Sequence, residues 1–227
     1  MKRLLLIWTL FVLTISVNCQ SILQAGSIVG IPSTGDEGLT YTDDFSTYKE
    51  GDLAGQGDWV TCLNQIIVVA GAKVQANSSG NDNCVKLDMA FTNDHYAQIV
   101  NVQMAAGGGT MGVAARCSGS GATATYYVFE YTNTDGYFGK VVNGSYTTLA
   151  ESTRNGLAND VLKIVVNGTS IKLYLNGSLD TNFGDGQNGC TGTAGDFTDS
   201  SISTGVPGIA GWSNLTTQGD NFEAEDI

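Results

Sequence analysis

Val161-Leu162-Lys163-Ile164-Val165-Val166-Asn167-Gly168-Thr169-Ser170-Ile171-Lys172-Leu173-Tyr174-Leu175 is the stretch that decides the fold. Leu162, Ile164 and Val166 fall on one side of an extended chain, and Ile171, Leu173 and Leu175 supply the apolar side of a second run. Lys163, Lys172 and Tyr174 point the other way. Successive side chains of a strand alternate between faces, so both runs read as strands with one face buried. Asn167-Gly168 between them tolerates the positive φ angles of a tight turn. The stretch is a β-hairpin laid against a core.

Working outward, Asp135-Gly136, Asn143-Gly144 and Asn176-Gly177 interrupt further strand-like runs in the same way. Upstream, Ile66-Ile67-Val68-Val69, Val85-Lys86-Leu87-Asp88-Met89, Ala97-Gln98-Ile99-Val100-Asn101-Val102 and Met111-Gly112-Val113-Ala114-Ala115-Arg116 have strand length and are bounded by turn residues. No helix signal follows residue 20. About a dozen such runs predict an all-β chain of two packed antiparallel sheets, a β-sandwich, since each sheet must hide one face. Asn77, Asn143, Asn167, Asn176 and Asn214 also match the N-glycosylation acceptor pattern; for the three Asn-Gly cases the turn explains the residues without it.

The start of the chain has a different character. Met1-Lys2-Arg3 precedes the apolar run Leu4 to Val17, the build of a secretory leader, so residues 1–19 are expected to be a signal peptide and the protein to be exported. Cys19 sits where a lipoprotein carries its lipid, which makes a lipid anchor the alternative to plain cleavage. Residues 20–38 read as a linker or N-terminal arm, and residues 39–227 as one domain. No later segment approaches the roughly 20 apolar residues of a membrane-spanning helix.

Net charge is −12, and two units more negative once Lys2 and Arg3 leave with the leader. Nucleic acid and anionic membrane need cationic surface and are excluded as partners. The body of the chain holds Cys62, Cys84, Cys117 and Cys190, an even number that suits two disulfides in an exported protein. The expected pairing is Cys62 with Cys84 and Cys117 with Cys190, the second tying the Gly-rich stretch from Gly184 to Gly195 to a strand end; free buried thiols are the alternative.

Several segments carry a family resemblance by their joint order. Asp43-Asp44-Phe45 with Gly57-Asp58-Trp59 comes first, then Gly112 to Arg116 and Tyr126-Tyr127-Val128-Phe129-Glu130-Tyr131, Phe138 to Gly144, the Leu162 hairpin, Gly205 to Gly211 and Asp220-Asn221-Phe222-Glu223-Ala224. Over about Tyr41 to Ile227 this order resembles the concanavalin A-like lectin/glucanase superfamily, in its laminin-G-like jelly-roll branch. The resemblance implies a jelly-roll β-sandwich in which the Phe45 and Phe222 segments are neighbours. It leaves function open among lectins, glycosidases and adhesion or structural modules.

The laminarinase-like branch of that superfamily carries Glu-x-Asp-x-x-Glu on one strand. Here the nearest match, Glu50-Gly51-Asp52-Leu53-Ala54-Gly55, lacks the final acid and reads as a loop. His95 has no Ser or Cys pattern beside it and reads as an ordinary polar residue at a strand start. No catalytic residue is therefore assigned. The expected function is an exported, non-catalytic carbohydrate-recognition or cell-surface adhesion module with a glycan or surface polysaccharide as partner. The alternatives are a structural protein self-assembling through its arm and a glycoside hydrolase with an unrecognised carboxylate pair.

Sugar recognition on this architecture uses aromatic rings with polar groups at their margins. In Tyr126 to Tyr131 alternation puts Tyr127, Phe129 and Tyr131 on one face and Tyr126, Val128 and Glu130 on the other. The candidate binding residues are Arg116, Tyr126, Glu130, Tyr131 and Trp212, with an Arg116–Glu130 cross-strand pair as the structural alternative. No cofactor is required; a structural calcium ion would draw on Asp185, Asp196 and Asp199 of the Gly-rich loop.

Overall fold

The computed structural model describes residues 38–77, 80–212 and 216–227. The expected leader, Cys19, the arm up to residue 37 and Asn214 lie outside them. The described residues form the strands β1 (Thr40–Asp43), β2 (Gly51–Asp52), β3 (Trp59–Leu63), β4 (Ile66–Val69), β5 (Lys73–Ala76), β6 (Asp82–Leu87), β7 (His95–Gln103), β8 (Met111–Ser118) and β9 (Thr125–Tyr131). They continue with β10 (Gly136–Val142), β11 (Ser145–Ser152), β12 (Asp160–Asn167), β13 (Ser170–Leu175), β14 (Ser178–Leu179), β15 (Thr191–Thr193), β16 (Asp196–Thr198), β17 (Val206–Trp212) and β18 (Gln218–Asp226). One 3-10 turn, Gly121–Thr123, is the only helical element among them, and no helix is long and apolar enough to cross a membrane.

Two antiparallel sheets result. The larger has eleven strands in the order β15-β16-β13-β12-β7-β18-β5-β4-β2, with β14 beside β13 and β1 beside β18; the smaller has seven, β11-β10-β9-β8-β17-β6-β3. The hairpin of β12 and β13 pairs Leu162 with Leu175, Ile164 with Leu173 and Val166 with Ile171, all six buried, as the alternation predicts. Its turn is shifted by one residue. Asn167 still pairs with Ser170, and Gly168, at φ +54°, takes the first corner of the loop. At Asn143-Gly144 and Asn176-Gly177 both residues do have positive φ, as a type I′ turn requires.

The core lies between the sheets, where Tyr127, Phe129, Phe138 and Ile209 of the smaller sheet meet Ile99, Leu162, Ile164 and Leu173 of the larger. Each such buried side chain stabilises the fold by about 1.5–3 kcal/mol. The two ends of the domain close on each other as the resemblance implies. β1 pairs with β18, with Asp43 opposite Phe222. The Asp43 carboxylate accepts hydrogen bonds from Trp59 Nε1 (2.8 Å) and the Tyr48 hydroxyl (2.7 Å), and the Trp59 and Phe222 rings meet edge to face at 5.0 Å.

Three expectations are corrected here. Gly51–Asp52 is a short edge strand, not a loop. Arg116 does not pair with Glu130; its backbone bulges at φ +52°, and its buried guanidinium donates to Asn93 O, Ile202 O and the Asp94 carboxylate (2.9 Å). The four cysteines are free thiols. Cys117 and Cys190 cannot reach each other, because Cys117 lies in a small cluster on the outer face of the seven-stranded sheet and Cys190 in the main core behind it. Cys62 and Cys84 lie on adjacent strands of that outer cluster, where their thiols donate to Ser118 O and Val85 O.

Candidate functional site

The outer face of the seven-stranded sheet is divided in two. At one end Cys62, Cys84, Cys117, Tyr126, Val128 and Val141 pack into the small apolar cluster, with Ala124 beside the 3-10 turn. At the other end a cleft of about 440 Å³ opens, within the size range of small-ligand sites. It is lined by Asp82, Gly108, Thr110, Glu130, Thr132, Thr134, Asp135, Tyr137, Tyr146, Thr148 and Trp212.

Strand register builds this cleft. Tyr137 on β10 stands directly opposite Glu130 on β9, which stands opposite Gly112 on β8, and Trp212 on β17 stands opposite Asp82 on β6. Two glycines make room for the side chains that line it. A methyl group on Gly112 would lie 2.1 Å from Phe129 O and 2.7 Å from Glu130 Cβ; one on Gly139 would lie 2.6 Å from the Tyr146 ring. Gly112 thus leaves Glu130 its space, and Gly139 lets Tyr146 lie across β10. Thr110 ties the parts together: its N–H donates to Trp212 O (2.9 Å), its hydroxyl oxygen accepts from Trp212 N–H (2.6 Å), and its hydroxyl donates to Glu130 Oε2 (2.5 Å).

Glu130 is 95% buried, and burial, with the Asp82 charge adding a smaller push, raises its carboxyl to about 7 against the pull of the Thr110 hydroxyl. Burial also raises Asp82, Tyr137 and Tyr146 above their ordinary values. Trp212, 41% exposed, is the open wall.

A second cleft of about 410 Å³ lies on the outer face of the eleven-stranded sheet, lined by Tyr96, Gln98, Lys163, Val165, Tyr174, Gly177, Glu225 and Ile227. Unlike the first cleft, it brings carboxylates and a lysine together. The Tyr96 hydroxyl lies within hydrogen-bond reach of both Glu223 and Glu225 and shares its one proton between them, and Lys163 Nζ sits 3.2 Å from the centre of the Tyr96 ring.

Of the predicted binding residues, the structure brings Glu130 and Trp212 into one cleft and leaves three out. Tyr126 shares the outer face but is 1% exposed, covered by its own cluster. Tyr131 points into the core, donates to Asp180 (2.6 Å) and carries Arg154 over its ring. Arg116 is buried with Asp94. His95, at the start of β7, accepts the Arg116 N–H at Nε2, and burial lowers it to about 4.

The calcium candidates are dispersed: Asp185 is exposed, Asp196 faces Lys172 at 3.6 Å, and Asp199 is held by Lys140, Tyr127 and Ser201. No group of three or more potential metal ligands gathers among the described residues. Asp82, Thr110, Tyr137 and Tyr146 were not legible as site residues. Tyr137 had a signal, because the turn at Asp135-Gly136 folds β10 back along β9 and brings it beside Glu130.

No protein-family model and no curated protein matches the sequence. Solved structures do match. A carbohydrate-binding module, CBM66, from Bacillus subtilis aligns with TM-score 0.53 at 17% identity, over 75% of this chain and 96% of that one. A Bacillus licheniformis beta-glucanase aligns with TM-score 0.50 at 14% identity, over 86% and 100%. A Bacillus subtilis protein of unknown function with a galectin-like fold gives 0.51 at 9% identity, over 84% and 97%. The chain shares with them an all-β, two-sheet jelly-roll sandwich fold.

Proposed function

We propose that this protein is an exported carbohydrate-recognition module that takes its glycan in the cleft between Glu130, Asp82 and Trp212. One observation carries the reading: Trp212, Tyr137 and Tyr146 surround a floor of carboxyl and hydroxyl groups. Aromatic side chains offer flat apolar surface to sugar rings, and the polar groups fix orientation. The fold is shared with a carbohydrate-binding module, which agrees with the reading without carrying it. A second reading, glycoside hydrolysis, is favoured by Glu130 and Asp82 in the same cleft, since a carboxyl held protonated near neutral pH can act as general acid beside a second carboxylate.

A glycan array probed with the purified protein and with Trp212→Ala tests the proposal. Binding that falls at least about tenfold in the variant is expected. An array blank for the wild type overturns recognition. Chromatography of the bound oligosaccharides separates the two readings: intact recovery is the mark of recognition, and shortened products that vanish with Glu130→Gln are the mark of hydrolysis.

A further inference from the structure

Four carboxylic acids are deeply buried among the described residues: Glu130, Asp160, Asp180 and Asp199. Three are fully provided for. Asp160 receives both Arg154 nitrogens, Leu157 N–H and Asn176; Asp180 receives the Tyr131 hydroxyl and two N–H groups of Asn182; Asp199 receives Lys140, the Tyr127 hydroxyl and Ser201. Among the described residues Glu130 has one hydrogen bond, from Thr110, and no ion pair. A buried carboxyl so placed costs stability unless it is protonated or a partner arrives.

The surroundings sharpen the contrast. Asp82 and Asp135 line the same cleft as Glu130, and no lysine, arginine or histidine among the described residues does. Three aromatic rings, Trp212, Tyr137 and Tyr146, complete it. Carboxylates and aromatic faces without a basic residue form an environment that attracts a cation twice over, by charge and by the ring quadrupole. The chain's net charge of −12 adds a long-range pull in the same direction.

We propose that the ligand is a cationic glycan, a sugar chain bearing free amino groups, whose ammonium lies against Trp212 between Glu130 and Asp82. This rests on the glycan reading and deepens it. An ammonium there supplies the counter-charge that the protein withholds from Glu130, while neighbouring sugar hydroxyls meet Thr110, Thr132 and Thr148. The raised value of the Glu130 carboxyl agrees with a site lacking its cation. Binding the ammonium drives Glu130 to release its proton into solvent.

Titration calorimetry of the purified protein tests this with three oligosaccharides of equal length and linkage: glucosamine, N-acetylglucosamine and glucose oligomers, at mildly acidic pH where the free amines are charged. The glucosamine oligomer is expected to bind at least about tenfold more tightly than the other two, to weaken with added salt, and to lose its advantage in Glu130→Gln, which keeps the side chain's size. Equal or tighter binding of the acetylated or glucose oligomer overturns the inference and leaves the glycan reading standing. Failure of the glucosamine oligomer to bind also overturns it, and the array then decides separately whether glycan recognition falls too.

Discussion

On the outer face of the eleven-stranded sheet, Glu223 and Glu225 share the Tyr96 hydroxyl and Lys163 caps the same ring. On the outer face of the seven-stranded sheet, Glu130 and Asp82 line a cleft of nearly equal volume with no cation among the described residues. Residue types and cavity sizes are alike; the bookkeeping of charge differs. A polar cluster that satisfies itself holds strands in register, whereas one left uncompensated has a reason to bind something. The same contrast separates Glu130 from Asp199, whose hydrogen bonds from Ser201, Tyr127 and Lys140 overcome burial and hold it down to about 2.

The largest expected effect is on the pH dependence of stability. His95 falls from 6.5 to about 4 on folding, so the unfolded chain takes up the proton first, and stability drops as pH falls through that window. Glu130 rises from 4.5 to about 7, so the folded state holds its proton longer, and stability drops as pH rises through that window. Each is worth about 3 kcal/mol at full extent. Between pH 6.5 and 4.5 the two oppose each other and the wild type is expected to be nearly level there. Glu130→Gln removes one side: denaturation midpoints of the variant should fall with pH across that range. A variant as level as the wild type contradicts the assignment.

A smaller effect is expected at the cleft floor. Gly112→Ala forces a methyl against Phe129 O and Glu130 Cβ and should cost about 2 kcal/mol in urea unfolding, with glycan binding impaired beyond what the stability loss explains. Unchanged stability and binding would show that the floor yields freely. The smallest effect belongs to the compensated face, where Lys163→Ala loses one cation–π contact and should cost about 1 kcal/mol or less.

The sequence made the fold legible because alternation and turn residues are local signals. The β12–β13 hairpin and the face division of Tyr126 to Tyr131 follow from them, while the meeting of the Phe45 and Phe222 segments was implied by the family resemblance alone. The two- and three-residue strands β2, β14, β15 and β16 did not stand out, since so few residues show no period. The site was half legible. Glu130 and Trp212 were named, but which face of β9 is outer depends on the other sheet, and that decided against Tyr131. Arg116 was misplaced because a single bulge at positive φ turned it away from the strand's pattern. Asp82 joined the site only through the pairing of β6 with β17, a contact between residues 130 positions apart. The alternating acids Glu223 and Glu225 were visible in Glu-Ala-Glu, yet only geometry shows that both meet at the Tyr96 hydroxyl, with Lys163 over the same ring.

The most direct test is a side-by-side titration of a glycan identified on the array into Trp212→Ala and Lys163→Ala. The uncompensated cleft as the binding site predicts that Trp212→Ala loses at least about tenfold in affinity while Lys163→Ala binds as the wild type does. Full binding by Trp212→Ala with loss in Lys163→Ala would place recognition on the opposite face and contradict the account.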